Sequence, residues 1–410
     1  MTTPLPTRRL GTNGPEITIV GFGAWAAGGG GWAFAWGPQD DGESVAAIRH
    51  AIGKGVNWID TAAVYGYGHS EVVVGRALAG IPASERPLVF TKCGLRWNDA
   101  DRMAQPVRDS RPARVREECE ASLRRLGVET IDLYQFHWPD QTGTPVEDSW
   151  GEMLRLADEG KVRWPGVSNY DVALLERCEA VRHVTSLQPP FSMIRRDVGG
   201  AQIPWCAAHG TGVIVYSPMQ SGLLTDSFTA ERVAAFPADD WRRMSPQYQS
   251  PNLERNLALR DALRPIATRH GTSVAAVAVA WTLAWPGVTA AIVGARSPEQ
   301  VDGWLAAATL RHYLAEMRGD LFLGLLAYNI GPRNGGLRSI MKQYGARDFV
   351  TIQPYLQHLP RDYPIRVLAA ALAYRLWHTG GTLPRYEEGG NAAQIQSVGI
   401  PGLTRTVRNS

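Results

Sequence analysis

The sequence predicts an α/β fold, a (β/α)8 TIM barrel with an N-terminal hairpin and a mostly α-helical C-terminal extension. Strand-sized apolar runs alternate eight times with amphipathic, helix-like segments, as in parallel sheets buried on both faces. Polar residues also close seven successive predicted strands. A doubly wound sheet would explain the alternation equally well. The polar strand ends favour the barrel, because barrel enzymes collect their chemistry at the C-terminal ends of several strands.

The composition is that of an ordinary soluble globular protein. The chain has 44% hydrophobic and 20% charged residues and a formal charge of +3 over 410 residues, which argues against nucleic acid or acidic lipid as a partner. The four cysteines have no metal-ligand spacing, so we predict free thiols and no metal site. No secretory signal or membrane-spanning run is apparent. We therefore expect a cytoplasmic protein without a membrane partner.

The length indicates more than one domain, because single cores rarely grow beyond about 300 residues. We predict a barrel over residues 1–318 and a second, helical segment over residues 319–410.

The predicted elements follow in chain order. The segment "RRLGTNGPEITIV" has a Gly-rich centre between two strand-like arms and predicts a hairpin. Helix-like segments such as "PARVREECEASLRRLG" carry apolar residues at helical spacing and end at Gly. The predicted barrel strands are 17–22, 56–60, 88–92, 131–137, 162–167, 184–188, 212–216 and 289–293.

The ends of these strands define the candidate site. Barrel strand ends converge on one face, so residues far apart in sequence are expected to meet there. From the second strand to the seventh, the polar residues are Asp60, Lys92, His137, Ser168 with Asn169, Gln188 and Tyr216, and Gly294 and Arg296 follow the eighth.

Asp60, Lys92 and Tyr65 suggest acid catalysis. Buried charges at strand ends are costly unless they pair, so we predict an Asp60–Lys92 ion pair with its ammonium near the phenol of Tyr65. Such a charge should lower the tyrosine pKa from about 10 towards the working pH. Tyr65 could then give a proton to a carbonyl oxygen, which His137 would orient by a hydrogen bond.

Together these segments resemble the aldo-keto reductase family. The matching pieces are "NWIDTAAVYGYGHSE", "LVFTKCG", "IDLYQFHWPD", "EGKVRWPGVSNY", "LQPPFS", "GVIVYSPMQSGLL" and "AAIVGARSPEQV", which span about residues 8–315 in family order. The resemblance implies reduction of an aldehyde or ketone by hydride transfer from a nicotinamide, without a metal. It implies that Asp60, Tyr65, Lys92 and His137 are the catalytic residues, with Tyr65 as the general acid.

The resemblance also implies a cofactor site. It implies that Ser168, Asn169 and Gln188 hold the carboxamide of the nicotinamide and that Tyr216 lies against the face of its ring. It implies that the backbone around Ser217, Gln220 and Leu223 lines the pyrophosphate. The adenosine end would be held by Gly294, Arg296 and Gln300. An Arg at the adenosine end favours NADPH over NADH, because its guanidinium suits a 2′-phosphate.

Trp25 is also placed among the cofactor contacts, although Trp25, Trp32 and Trp36 could line a substrate pocket or be ordinary loop aromatics.

The sequence departs from the family pattern at two places. A Lys common after "GLLT" is replaced by Asp226 and Ser227, which weakens the NADPH preference. Pro165 stands inside the fifth strand, where it is expected to disturb the pairing.

The C-terminal segment does not resemble a reductase. The run "LFLGLLAYNIGPRNGG" and the residues after it, about 320–402, resemble the end of a lytic transglycosylase, a lysozyme-like domain that cleaves peptidoglycan. No catalytic Glu precedes this run at the position that the resemblance requires, so we expect no glycosidase activity. A translational fusion of two genes, or a frame-shifted join, would produce this arrangement.

Three functions remain open from the sequence. The leading one is an NADPH-dependent reductase, the second a cofactor-binding redox sensor or regulatory subunit with slow turnover, and the third a peptidoglycan-binding fusion protein. The sequence identifies neither the carbonyl substrate nor the oligomeric state.

Overall fold

The computed structural model describes residues 5–237, 240–269 and 272–305. The predicted segment 319–410, with its transglycosylase-like motif, lies outside the described residues.

A closed barrel of eight parallel strands forms the body of the protein. The strands of the protein are β1 (Thr7–Arg9), β2 (Glu16–Thr18), β3 (Val20–Gly23), β4 (Trp58–Asp60), β5 (Leu88–Cys93), β6 (Leu95–Arg96), β7 (Val107–Arg108), β8 (Ile131–Phe136), β9 (Val162–Ser168), β10 (Ser186–Gln188), β11 (Gly212–Val215) and β12 (Ala290–Gly294). The barrel strands pair in chain order, β3-β4-β5-β8-β9-β10-β11-β12, and β12 closes onto β3. The predicted (β/α)8 barrel is therefore confirmed.

Helices surround the barrel and connect its strands. An apolar layer between strands and helices contains all four cysteines, which are free and buried. The helices are α1 (Asp41–Gly53), α2 (His69–Leu78), α3 (Pro112–Leu126), α4 (Val146–Asp158), α5 (Val172–Val181), α6 (Gln202–His209), α7 (Ala230–Ala234), α8 (Asn252–Arg269) and α9 (Val274–Ala284).

The first predicted strand is divided in two. Residues Glu16–Thr18 pair antiparallel with β1 as the second arm of the hairpin, and the barrel strand begins only at Val20. The Thr18 hydroxyl donates a 2.8 Å hydrogen bond to the Val20 carbonyl across the break. The single predicted strand 17–22 was wrong because only one residue, the apolar Ile19, separates the two strands.

Pro165 does not interrupt the fifth barrel strand. Strand β9 runs through it, and its carbonyl accepts a hydrogen bond from the Thr185 amide at 3.2 Å. In a parallel ladder the N–H and C=O of one residue point to the same neighbour. The missing donor of Pro165 therefore faces the segment just before β10 begins, where little pairing is lost. The expected disturbance was wrong for this reason.

The barrel interior changes from apolar to polar along strands β4, β5 and β8. Trp58, Phe90 and Leu133 form its floor, together with Leu10 and Ile17 from the hairpin side. Alternate strand residues point to the same face, so the inward positions two residues later belong to Asp60, Lys92 and Gln135. All three are buried. The hairpin thus closes the bottom of the barrel, and the charged layer lies at the C-terminal end.

Gly21 provides the space for the largest side chain in this floor. A Cβ at Gly21 would lie 2.1 Å from the Trp58 ring, far inside van der Waals contact. The Trp58 indole also donates a 2.8 Å hydrogen bond to the Thr18 carbonyl. A large residue on β4 and a glycine on β3 therefore fill one layer without a void.

A buried carboxyl group on α3 should make the stability depend on pH. Glu118 accepts a 2.9 Å hydrogen bond from the Gly94 amide, and burial raises its pKa from 4.5 to about 8. The stabilising effect of its proton is complete below pH 4.5 and is lost as the pH rises to about 8. When the pH rises from 5 to 8.5, we expect the unfolding free energy of wild type to fall by roughly 2–4 kcal/mol relative to that of Glu118→Gln.

Urea unfolding at the two pH values measures this difference. Glu117 is exposed on the same helix, so Glu117→Gln is the matched control. The unfolding free energy of this control should differ from that of wild type by nearly the same amount at both pH values. A Glu118→Gln curve parallel to wild type across this range would contradict the expectation.

Candidate active site

A cavity of about 1090 Å³ opens at the C-terminal end of the barrel strands. Its walls include the ends of β4, β10 and β12 and the loops after β3, β5, β8 and β11. Twelve of the residues predicted for the site line it: Trp25, Asp60, Tyr65, His137, Asn169, Gln188, Tyr216, Ser217, Gln220, Gly294, Arg296 and Gln300. Residues far apart in the sequence therefore meet here.

Asp60 and Lys92 form a buried ion pair under this cavity. The Lys92 ammonium donates to Asp60 Oδ1 at 2.5 Å and to the Thr61 carbonyl at 2.9 Å. The Gln188 amide donates to the other Asp60 oxygen at 2.8 Å. Burial raises the pKa of Asp60 and lowers that of Lys92, while each charge favours the ionised form of the other. The predicted pair is thus present and held by two further partners.

Tyr65 lies beside this pair, as expected. The Lys92 Nζ atom is 5.3 Å from the centroid of the phenol ring. Burial raises the pKa of Tyr65 well above its usual range, and the nearby Asp60 and Tyr216 act in the same direction. The expected lowering of this pKa was wrong, because Lys92 is neutralised by Asp60 and desolvation of the phenol dominates. A raised pKa keeps the phenol protonated at neutral pH.

His137 faces Tyr65 across the end of the cavity. The two rings meet edge to face with centroids 5.6 Å apart. Burial lowers the pKa of His137 well below its usual value, and the positive charges of Lys92 and Arg108 add to this effect. The imidazole is therefore neutral at neutral pH and can donate one N–H while remaining uncharged.

Ser168, Asn169 and Gln188 form one hydrogen-bond network. The Ser168 hydroxyl donates to the Gln188 carbonyl at 2.7 Å, and the Asn169 amide donates to the His137 carbonyl at 2.9 Å. The Tyr216 hydroxyl donates to Asn169 Oδ1 at 2.8 Å. Asn169 has a positive φ of 60°, a strained conformation that is common at functional sites. The network positions the Tyr216 ring at the cavity wall.

The loop after β11 bends sharply where the pyrophosphate was predicted. Ser217, Gln220 and Ser221 all have positive φ values, between 47° and 56°, and all line the cavity. Such a bend turns successive backbone groups towards one side, as in anion-binding nests. Leu223 is fully buried beside Phe228, so any contribution from it would come from the backbone.

Arg296 connects the end of β12 to the loop after β3. Its guanidinium donates to Gln39 Oε1 at 2.6 Å, to the Trp36 carbonyl at 3.3 Å and also to the Pro38 carbonyl. The Gln300 side chain accepts from the Arg296 amide at 2.9 Å. Several hydrogen-bond donors of the Arg296 guanidinium are therefore already used within the protein, which the position of Arg296 in the sequence did not indicate.

Arg232 and Arg242 also line the cavity and are near enough to Arg296 for their charges to act on it. Partial burial lowers the pKa of Arg296, and the charges of Arg232 and Arg242 lower it further. Arg242 pairs with Asp240 at 2.6 Å, whereas Arg232 has no carboxylate within ion-pair distance in the described part of the chain. This arginine cluster of three residues fits a ligand with several negative charges, as a dinucleotide has.

Trp25 is part of an aromatic stack above Tyr65. Its ring lies parallel to Tyr65 at 5.8 Å and to Trp241 at 5.9 Å, and Trp36 meets its edge at 5.3 Å. Trp32 lines the cavity too. The structure thus places all three predicted tryptophans in the cavity wall. Of the three, Trp25 lies parallel against Tyr65.

Several site residues were not predicted from the sequence. Thr61 and Gln135 belong to the polar layer inside the barrel, and Trp241 completes the aromatic stack. Gln135 could have been found, because it is two residues from both Leu133 and His137 in "LYQFH" and alternation places all three inward. Trp241 lies in a long loop, and nothing in its local pattern indicates that it reaches Trp25.

The fold and site define a class of protein, an α/β-barrel enzyme with a buried Asp–Lys pair, a protonated tyrosine and a neutral histidine below a cationic cavity. Within the described ranges, no cluster of metal-ligating side chains and no helix long and apolar enough to cross a bilayer is found. The chain belongs to the aldo/keto reductase family, whose model matches residues 20–317. It is an NAD(P)-dependent oxidoreductase.

Individual relatives agree with this assignment. Aldo-keto reductase YhdN of Bacillus subtilis is 36% identical over 294 residues, 72% of this chain and 86% of the relative. The NADH-specific methylglyoxal reductase of Escherichia coli is 32% identical over 310 residues, 73% and 93% of the two chains. The solved glycerol dehydrogenase AKR11B4 of Gluconobacter oxydans superposes with a TM-score of 0.67 at 39% identity and covers 81% of this chain and 98% of its own.

Proposed function

We propose that this protein reduces an aldehyde or ketone to an alcohol with NADPH, and that Tyr65 is the proton donor. The observation that carries the proposal is the position of Tyr65. Its protonated phenol adjoins the Lys92–Asp60 pair and faces His137 at the inner end of the cavity. When bound, the nicotinamide supplies the hydride that the carbonyl carbon accepts.

Each of the four residues has a separate role in this proposal. The Tyr65 hydroxyl donates its proton to the carbonyl oxygen as negative charge develops there. Lys92 stabilises the resulting phenolate, and Asp60 holds the ammonium in place by the 2.5 Å hydrogen bond. His137, which is neutral, donates an N–H to the same carbonyl oxygen and so orients it. Solvent then returns a proton to Tyr65.

The cofactor residues divide along the cavity. Ser168, Asn169 and Gln188 would hold the carboxamide and Tyr216 the face of the nicotinamide. The Asn169 side chain already bonds His137 and Tyr216, so it would act partly by holding those two in place. The backbone from Ser217 to Leu223 would hold the pyrophosphate, and Gly294, Arg296 and Gln300 the adenosine end.

The cofactor preference rests on the arginine cluster. A 2′-phosphate adds two negative charges that Arg232, Arg242 and Arg296 would help to neutralise, so NADPH is the proposed cofactor. The name of the E. coli relative records the opposite preference for that protein. The missing Lys after Thr225 also weakens the NADPH preference.

We expect kcat/KM for NADPH to exceed that for NADH by at least about tenfold, and Arg296→Gln to reduce this ratio by about 10–100-fold, since a charge-assisted hydrogen bond contributes roughly 1.5–3 kcal/mol. Absorbance assays with a panel of aldehydes and ketones measure both values. Arg177→Gln, which breaks a surface ion pair with Glu147, is the charge-matched control. A wild-type preference for NADH would refute the cofactor assignment but leave the reductase proposal intact.

The same assay tests where the reductase domain ends. We propose that the barrel extends to about residue 318 and that residues 319–410 take no part in the reduction. The family match ends at residue 317, which supports this boundary. A chain shortened after Met317 should keep the kcat of the full chain, and loss of turnover in a folded shortened chain would refute the proposal.

A further inference from the structure

We infer that Arg108 binds a negatively charged group of the substrate, so that the preferred substrates are carbonyl compounds that carry a carboxylate or a phosphate. The inference rests on the proposed function, because it concerns the substrate class of the same site. Arg108 ends strand β7 in the small β6–β7 sheet and lines the cavity.

Arg108 is held at the cavity wall by an aromatic ring. Its guanidinium carbon lies 4.3 Å from the centroid of the Trp138 ring. A guanidinium that covers an indole face keeps its N–H groups at the edges of its plane, where they can bind an anion. Trp138 also lines the cavity and directly follows His137. The cation is thus positioned before any ligand binds.

The charge of Arg108 has no carboxylate partner among the described residues. The neighbouring Asp109 is bound by Arg111 at 2.6 Å and lies 3.6 Å from Arg96. Asp140 accepts hydrogen bonds from the Ser110 amide and from Thr142. The proposed catalytic carboxylate, Asp60, is occupied by Lys92 and Gln188. A partly desolvated cation without a partner is costly, and an anionic substrate group would offset this cost.

Arg108 lies at the reacting end of the cavity. Its guanidinium covers the ring of Trp138, the residue next to His137, and its positive charge contributes to the lowered pKa of His137. A carbonyl oxygen placed between Tyr65 and His137 would put a nearby carboxylate or phosphate within reach of Arg108. The amide of Gln105, on the same wall, offers a further donor. The geometry therefore favours a short spacing between the carbonyl and the anionic group.

Arg108 is remote from the residues proposed for the cofactor phosphates. It follows β5, whereas those residues follow β11 and β12. In the closed barrel β5 lies four strands from β11 and three from β12. The arginine cluster and the bent loop after β11 are therefore across the cavity, and a dinucleotide phosphate bound there would leave Arg108 free.

Two aldehydes of equal chain length test the inference, 4-oxobutanoate and butanal. We expect wild-type kcat/KM with NADPH to be at least tenfold higher for 4-oxobutanoate. Arg108→Met should reduce this preference by about 10–100-fold, the range for loss of a charge-assisted hydrogen bond. The change should appear mainly in KM, because Arg108 would bind the substrate without taking part in proton transfer.

Arg96→Met is the matched control. It removes the same charge from the same two-stranded sheet, and Arg96 does not line the cavity. It should keep the wild-type preference. Equal use of both aldehydes by the wild type, or an unchanged preference in Arg108→Met, would overturn the inference while leaving the reductase proposal intact. Lack of turnover of any aldehyde or ketone would instead refute the proposed function.

Calorimetry tests the same contact without turnover. Butanoate, a carboxylate that cannot be reduced by this chemistry, should bind the NADPH-loaded wild-type protein at least tenfold more tightly than the NADPH-loaded Arg108→Met variant. Arg96→Met should match the wild type. Equal affinities for wild type and Arg108→Met would overturn the inference even if the aldehydes were poor substrates.

Discussion

Replacement of Tyr65 by Phe should lower kcat for carbonyl reduction by about 10²–10⁴-fold, the usual contribution of a positioned general acid. The variant lacks only the hydroxyl, and the ring can keep its stacking against Trp25 and its edge contact with His137. NADPH affinity should therefore change little. Stopped-flow measurement of NADPH oxidation, with cofactor binding followed by fluorescence, separates the two effects.

Tyr67→Phe provides the control for this variant. Tyr67 lies two residues further along the same loop, and its hydroxyl donates to the Arg102 carbonyl at 2.8 Å, outside the proposed catalytic group. Its kcat should stay within a few-fold of wild type. If Tyr65→Phe also kept full activity, the acid assignment would be wrong. A wild type that binds NADPH but reduces no aldehyde or ketone would instead indicate the regulatory alternative.

Replacement of Lys92 by Met should destabilise the protein by about 3–5 kcal/mol and abolish measurable turnover. Removal of one partner leaves the other charge buried without compensation, and Asp60 is only 3% exposed. The Thr61 carbonyl would lose its donor as well. Urea unfolding monitored by tryptophan fluorescence measures the loss of stability, and NADPH oxidation measures the loss of activity.

The double variant Asp60→Asn/Lys92→Met separates stability from chemistry. With no buried charge left uncompensated, it should recover most of the lost unfolding free energy but none of the activity, because no ammonium remains beside Tyr65. If Lys92→Met alone were as stable as wild type, the expected cost of leaving the Asp60 charge buried without a partner would be contradicted. An active double variant would show that the Lys92 charge is not required for proton transfer.

Much of the barrel and its site could be predicted from the sequence because the underlying patterns are local. Alternation of inward and outward side chains depends only on strand geometry. It places Asp60 two residues after Trp58 and Lys92 two residues after Phe90, on the inner face. Strand ends of a barrel converge whatever the details of packing, so the assembly of the four proposed catalytic residues followed from chain order.

The direction of the Tyr65 pKa shift required the structure. The sequence showed that a lysine would be close, which alone predicts a lowered pKa. It could not show that Asp60 neutralises Lys92 at 2.5 Å, or that burial of the phenol outweighs the remaining charge. Electrostatic effects in proteins depend on distance and desolvation together, and neither is encoded in residue spacing.

The sequence by itself determined the barrel, the catalytic candidates and their order, since periodicity and strand polarity act over a few residues. The tertiary structure alone decided the pairing of Arg296 with the loop after β3, the stacking of Trp241 on Trp25 and the placement of Arg108 on Trp138. Two of these contacts join segments more than 200 residues apart. In all three contacts, long loops decide which side chains meet. Packing of the whole chain sets their conformations.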